Sequence, residues 1–184
     1  LHYTTLVRCG LSNVNVAQLR QVLALCRIRP HVVQIRTFGH TGWDDKVGGV
    51  RALCNEHSIR FEGYSLLTAN RKLLQHATWR SVAKGRGDSS EQLAFRYSLQ
   101  LGMMLLTGTT STEHAAQDLG VVHGPQYAPA SDGGPSFVPR SDGEMEQLNS
   151  LIGTLAQKAK SHETRRSETK RGPAGLMMRR PGTR

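Results

Sequence analysis

The segment Val7-Arg8-Cys9-Gly10-Leu11-Ser12-Asn13 indicates the architecture of this protein, because it is a short apolar strand that ends in polar residues. The arrangement recurs three times: His31-Val32-Val33 leads into Gln34, Ile59-Arg60-Phe61-Glu62-Gly63 into Tyr64-Ser65, and Met103-Met104-Leu105-Leu106 into Thr107-Gly108-Thr109-Thr110. In a parallel β/α architecture, ligands bind at the carboxyl ends of the strands. The sequence therefore predicts an α/β protein, about half of a β/α barrel, whose polar strand ends face a ligand.

Helical periodicity separates the four strands. Apolar residues recur at spacings of three and four from Val16 to Cys26, and a second helix is outlined between Val47 and His57, after a loop over residues 38–45. Leu74 to Ala83 predicts one short helix, and Asp88-Ser89-Ser90-Glu91 predicts the start of another, with Asp88 as the N-cap. A last helix starts at Thr110-Ser111-Thr112-Glu113 and ends near Val122. Alternation of strand and helix is typical of right-handed parallel βαβ units.

Composition divides the chain into four regions. Residues 1–122 form the barrel-like part, and residues 123–142 are a linker rich in Gly, Pro and Ser, for which we expect no regular structure. Residues 143–160 predict an amphipathic helix that either docks on the barrel or recruits a partner. Residues 161–184 predict a disordered basic tail.

Charge and cysteine content restrict the partners and the compartment. The net charge is +10, and from residue 157 onward nine Lys or Arg accompany two Glu, so most of the excess lies in the tail. Such a tail is either solvated or attracts a phosphate-rich partner, and nucleic acid is the weaker interpretation. No apolar run reaches the ~20 residues of a membrane span. Three cysteines without C-x-x-C spacing predict reduced thiols and a cytoplasmic protein, and Leu1 in place of Met indicates a chain that starts inside a longer reading frame.

An ordered set of short motifs gives the chain a family resemblance. The motifs are Gly10-Leu11-Ser12-Asn13, Pro30-His31-Val32-Val33-Gln34-Ile35, Gly63-Tyr64-Ser65-Leu66-Leu67 and Ser90-Glu91-Gln92-Leu93-Ala94-Phe95-Arg96-Tyr97. In this order and spacing, over roughly residues 6–121, they resemble the C-terminal half of an aldo-keto reductase. The resemblance implies the last four βα units of a TIM (β/α)8 barrel. It also implies an oxidoreductase that interconverts carbonyls and alcohols by hydride transfer, with NADP or NAD as cofactor and a small carbonyl substrate.

The same resemblance assigns roles to the polar strand ends. Ser12, Asn13 and Gln34 match positions that bind the nicotinamide carboxamide, and Tyr64 matches the residue that stacks on the ring. Ser, Asn and Gln supply both donors and acceptors, and an aromatic face orients a flat ring. Ser65 and Leu67 match positions where the chain passes the cofactor pyrophosphate. The structural alternative is that Ser12-Asn13 is an ordinary helix N-cap.

The last strand departs from the family pattern at the far end of the cofactor. Gly108, Thr109 and His114 stand where family members that prefer NADP have Lys, Ser and Arg, while Gln117 and Asp118 stand at or next to an adenine-binding position. Glycine has no side chain, and a histidine is mostly uncharged at neutral pH. The choice between NADP and NAD is therefore left open. Val33 and Arg36 also depart from the family, which usually has Asn and often Glu there.

Catalytic residues are missing from the matched region. The family's Asp, Tyr, Lys and His tetrad lies on earlier strands, and His2 and Tyr3 do not match its motifs. A missing general acid forgoes roughly 10²- to 10⁴-fold in rate, so we expect the chain alone to be inactive. It is then either a fragment of an oxidoreductase or a non-catalytic degenerate paralogue or interaction module with a basic tail. His40 with Asp44 and Asp45 reads as a solvated turn, so no metal site is predicted.

Four parallel strands cannot close a barrel. We therefore expect the first and last strands to have unpaired edges, with apolar side chains of the barrel centre facing water. Such edges favour self-association of the chain.

Overall fold

A four-stranded parallel sheet lies at the centre of the molecule. The computed structural model describes residues 8–37, 49–123, 127–129, 135–137 and 142–170. The strands are β1 (Gly10–Ser12), β2 (Val32–Arg36), β3 (Arg60–Tyr64) and β4 (Met104–Leu105), in the spatial order β1-β2-β3-β4. Every neighbouring pair is parallel. The predicted partial β/α barrel is therefore confirmed, although Gln34 lies inside β2 and does not follow it.

Helices connect the strands and follow the sheet. They are α1 (Val16–Leu25), α2 (Val50–Glu56), α3 (Arg71–Leu74), α4 (Ala77–Gly85), α5 (Ser90–Gln100), α6 (Thr112–His123) and α7 (Asp142–Lys170). The prediction of a single helix from Leu74 to Ala83 is wrong. Two helices occupy this region, because the chain is extended at His76, whose Nδ1 caps α4 by accepting from the Thr78 amide at 3.3 Å.

One face of the sheet packs against helices α1 and α2. Its buried cluster includes Leu19 and Leu53 from the helices, and Val33 and Phe61 from the strands. Because strand side chains alternate between faces, the neighbouring positions lie on the opposite, open face. The register places one row of them across the four strands: Ser12, Gln34, Glu62 and Met104. The expectation of an apolar barrel centre is wrong for this row, because three of its four side chains are polar.

A second apolar cluster holds α7 against the barrel. Leu148 and Ile152 of α7 are buried among α4, α5 and α6, with Trp79 and Tyr97 at the centre of the cluster. The Trp79 and Tyr97 rings meet edge to face at 6.0 Å, and the Tyr97 hydroxyl donates to Asn149 Oδ1 at 2.5 Å. Of the two alternatives for the predicted amphipathic helix, docking is confirmed.

Several boundaries differ from the sequence-based expectation. Helix α7 continues to Lys170, ten residues past the predicted end, because residues 161–170 include helix-favouring Glu, Arg and Lys and contain no Gly or Pro. The linker contains an antiparallel pair, β5 (Tyr127–Pro129) and β6 (Pro135–Phe137), in which Tyr127 lies opposite Phe137. The predicted loop at residues 38–45, Val47, His2, Tyr3 and the tail from residue 171 lie outside the described residues.

The start of α5 also differs from the prediction. Ser89 is the N-cap, with its side chain and Gln92 forming a reciprocal capping box. Asp88, predicted as the cap, instead forms a buried ion pair with Arg96 at 3.1 Å. Arg96 also donates to the Val121 carbonyl at 3.1 Å and thereby ties α5 to the end of α6. An arginine at this depth requires a carboxylate partner, which accounts for the use of Asp88.

Candidate functional site

The carboxyl ends of β1, β2 and β3 are tied together by hydrogen bonds on one side-chain oxygen. Tyr64, the last residue of β3, donates its hydroxyl to Asn13 Oδ1 at 3.1 Å. The backbone amide of Arg36, the last residue of β2, donates to the same atom at 3.2 Å. Tyr64 therefore reaches across β2 to the end of β1. The structure brings Asn13 and Tyr64 together at this edge, and Gln34 lies two residues before the end of β2, where its carbonyl accepts from the Asn13 amide at 2.8 Å.

Two residues at this edge adopt left-handed backbone conformations. Asn13 has φ 53° directly after β1, and Ser65 has φ 58° directly after β3. Non-glycine residues with positive φ are uncommon, and they cluster at functional sites. The N-cap alternative for Ser12-Asn13 is wrong, because α1 is capped by Asn15 in a capping box with Gln18. Ser12 and Asn13 are therefore not used to start a helix.

Gln34 has a partner that the sequence analysis missed. Its Nε2 donates to Glu62 Oε1 at 2.6 Å, between half-buried side chains at matched positions of β2 and β3. Strand alternation could have found Glu62, because it stands two residues before Tyr64 and shares its face. Beside this pair, Asn13 Nδ2 donates to Ser12 Oγ at 3.2 Å.

Ser65 and Leu67 occupy the turn that follows β3. The Ser65 carbonyl accepts from the Ala69 amide at 2.9 Å and from the Thr68 hydroxyl at 3.4 Å. The Leu67 side chain packs against the cluster around Trp79. Leu67 can therefore offer only backbone groups to a ligand at this edge.

A cleft of about 470 Å³ opens between α5, the end of β4 and α6. Its lining includes three of the predicted residues, Gly108, Thr109 and Asp118, together with apolar side chains such as Phe95 and Leu119. Asp118 Oδ2 accepts from the Thr107 hydroxyl at 2.5 Å. His114 and Gln117 are exposed and lie outside this lining.

The two parts of the site fit different parts of a nicotinamide cofactor. The edge at Asn13, Gln34 and Tyr64 offers amide donors and acceptors beside an aromatic ring, which suits a carboxamide on a flat ring. The described lining of the cleft contains no Lys or Arg and one carboxylate, Asp118. That donor set suits an uncharged adenosine and does not suit an additional phosphate, for which cations are the usual partners.

Cys54, on α2, is fully buried. Burial raises the pKa of the Cys54 thiol to about 11, so this cysteine stays protonated at neutral pH. Among the residues that the structure describes, no group of three His, Cys, Asp or Glu side chains is arranged to hold a metal ion.

No helix in the described part of the chain is long and apolar enough to cross a membrane.

Curated proteins similar to this chain are mostly named as aldo-keto reductases. The chain is 26% identical over 118 residues to the 7-acetyl-epi-neemfruitin B aldo-keto reductase of Melia azedarach, covering 61% of this chain and 36% of that protein. It is 30% identical over 112 residues to an aldo-keto reductase of Mycobacterium avium, and 34% over 113 residues to an uncharacterized oxidoreductase of Schizosaccharomyces pombe. Each of these two matches covers 61% of this chain and 38% of the relative. The chain thus spans well under half of the relatives' length, and no protein-family model matches it.

Solved structures share the fold. The aldose reductase of Schistosoma japonicum superposes with a TM-score of 0.62 at 20% identity, covering 78% of this chain and 41% of that structure. MGS-M4, an aldo-keto reductase from a deep-sea metagenome, gives the same TM-score and identity, and 48% of it is covered. The described sheet and helices are therefore part of the barrel that these reductases have.

Proposed function

We propose that this chain, which is similar to aldo-keto reductases over 61% of its length, is the C-terminal, cofactor-binding half of the barrel of an NAD(P)-dependent oxidoreductase. The complete protein would interconvert carbonyls and alcohols on a small carbonyl substrate. The proposal rests above all on the hydrogen bond from Tyr64 to Asn13, which gathers the polar ends of three strands. We also propose a cytoplasmic location, in line with three free thiols.

In this proposal, residues of this chain bind the cofactor and orient its nicotinamide ring. Asn13 and Gln34 hold the carboxamide, with Ser12 beside them, and the Tyr64 ring covers one face of the nicotinamide. When bound, the cofactor supplies the hydride. Holding the ring in one orientation decides which face meets the substrate, and orientation of this kind accounts for a large part of enzymatic rate enhancement. The proton for the carbonyl oxygen comes from a residue outside this chain, because no residue here matches the family's tetrad.

The cofactor's other end is proposed to lie at Gly108, Thr109 and Asp118 in the cleft, with His114 and Gln117 at its rim and Ser65 and Leu67 along the pyrophosphate. Because the described lining contains no Lys or Arg, the additional phosphate of NADP would gain little binding free energy there. We therefore propose weak discrimination between NADP and NAD.

Replacement of Tyr64 tests this function. The chain is joined behind the N-terminal half of an aldo-keto reductase, and NADPH and NADH are titrated by fluorescence. Tyr64→Ala should weaken binding of both by about 1 kcal/mol, roughly fivefold, through lost stacking. Tyr64→Phe keeps the ring and should retain most of the affinity. Equal affinity of the wild type and Tyr64→Ala would contradict the proposal.

A second candidate function is a non-catalytic interaction module. The exposed large apolar side chains of the described residues belong to elements at or beside the sheet's two open edges. Leu25 is the last residue of α1, and Ile28 follows it, beside β1. Met104 lies in β4, Leu106 lies just after β4, and Leu119 lies in α6. Such edges pair with other strands, so a second copy could complete the barrel. Failure of the joined barrel to bind either cofactor would favour this function.

A further inference from the structure

The row of polar side chains on the open face carries a directional pattern of hydrogen bonds. Among its three polar members, Ser12, Gln34 and Glu62, only Glu62 has no role in the proposed function. Its side chain is half-buried, and its Oε1 accepts from Gln34 Nε2 at 2.6 Å. An ionised carboxylate can only accept hydrogen bonds, whereas a glutamine amide has one end that donates and one that accepts. The pairing therefore fixes which end of the Gln34 amide faces Glu62.

We propose that Glu62 is a positioning residue that orients the Gln34 amide, so that Gln34 presents its oxygen, and not its nitrogen, to the cofactor carboxamide. This inference rests on the proposed function. With Nε2 directed at Glu62, Oε1 is the end of Gln34 that remains for a ligand. Within residues 8–37 and 49–123, no other side chain or backbone group donates to that oxygen.

Asn13 has the complementary polarity. Its Oδ1 already accepts two hydrogen bonds, from the Tyr64 hydroxyl and the Arg36 amide. Its Nδ2 donates one hydrogen to Ser12 Oγ, and an amide nitrogen carries two. Asn13 therefore offers a donor where Gln34 offers an acceptor. A carboxamide needs this combination, because its oxygen accepts and its NH₂ group donates.

The pairing register of β2 and β3 fixes the orientation of the Gln34 side-chain amide. Gln34 and Glu62 are direct cross-strand partners, and the backbone amide of Asn13 donates to the Gln34 carbonyl at 2.8 Å. The amide and its acceptor are consequently fixed on adjacent strands, and no loop has to close to bring them together. The chemical consequence is specificity for a ring that carries an amide NH₂.

The experiment compares two cofactors that differ only at this group. The barrel completed with an aldo-keto reductase N-terminal half is titrated with NADH and with its 3-acetylpyridine analogue, in which a methyl group replaces the NH₂. The wild type should bind NADH about tenfold more tightly, because the analogue leaves Gln34 Oε1 without a donor. In Glu62→Ala, Gln34 can rotate and present its nitrogen to the acetyl oxygen, so the preference should fall to about twofold or less.

Two further variants separate orientation from charge. Glu62→Gln can still accept through its amide oxygen and should retain part of the preference. Glu56→Ala removes a carboxylate from the exposed end of α2 and should leave the preference unchanged. A preference that is the same in Glu62→Ala as in the wild type would overturn the role of Glu62. Failure of the wild type to bind either dinucleotide would instead overturn the proposed function.

The orientation of Gln34 can also be measured without a cofactor. In the ¹⁵N spectrum of the complete barrel, the hydrogen-bonded proton of the Gln34 NH₂ group should differ clearly in shift from its free partner. Glu62→Ala should bring the two shifts together, and Glu56→Ala should not. Unchanged shifts in Glu62→Ala would show that the carboxylate does not hold the amide.

Discussion

At the scale of single residues, the role of a side chain depends on the partner that the tertiary fold brings beside it. Tyr64 contacts Asn13 at the ends of β3 and β1, and Gln34 contacts Glu62 inside the sheet. Asp88 and Glu62 were misjudged or missed, because their roles depend on Arg96 and Gln34. Asp88 lies eight residues from its partner and Glu62 lies 28 residues away. Helix caps follow local rules, whereas a buried ion pair is decided by what the tertiary fold brings near.

The buried thiol of Cys54 gives the stability of the protein a specific dependence on pH. Burial raises the pKa of this thiol to about 11, whereas an unfolded cysteine releases its proton near its ordinary pKa of 9.0. The native state therefore holds this proton after the unfolded state has lost it, and alkaline pH favours unfolding. Denaturant melts of the wild type and Cys54→Ala should show the wild type's stability advantage shrinking as pH rises from about 9 toward 11. An advantage that grew over this range would contradict the burial of the thiol.

At the scale of elements, periodicity identified the parallel strands and most helices, and it misplaced their ends. Strand β4 has only two paired residues although four apolar residues precede Thr107. The length of β4 is set by its pairing with β3, in which Met104 lies opposite Glu62 and Leu105 lies opposite Gly63. The antiparallel pair β5 and β6 was missed, because its strands are three residues each and lie among Gly and Pro. Short strands of this kind leave too little pattern to detect.

Helix α7 is expected to stabilise the barrel and not merely to follow it. Leu148 is fully buried against the cluster around Trp79 and Tyr97. Arg86 and Glu144 form an ion pair near the start of α7, and this hydrogen-bonded partner raises the pKa of Arg86. Leu148→Ala should lower the free energy of unfolding by about 3 kcal/mol. The exposed neighbour Gln147→Ala should change it by less than about 0.5 kcal/mol. Equal, small effects in calorimetric melts would show that α7 is not part of the core.

At the scale of the whole molecule, both edges of the four-stranded sheet are open among the described residues, and the chain covers 36–38% of the curated relatives described above. The fold class and the similarity to aldo-keto reductases could be predicted from ordered motifs, because both depend on the strand ends. The pairing of Gln34 with Glu62 could not, because it depends on the register between strands. A face with Gln34 and Glu62 at its middle suits a binding surface better than a dry barrel centre, which bulky apolar residues usually fill.

We propose that this chain binds and orients the cofactor while another segment supplies the proton donor. Spectrophotometric oxidation of NADPH and NADH with a panel of small aldehydes and ketones tests this division. The 184-residue chain is compared with the same chain joined behind an aldo-keto reductase N-terminal half that carries the tetrad. We expect carbonyl reduction by the joined barrel and none by the chain alone. Reduction by the chain alone, or a folded joined barrel without reduction, would overturn the proposal.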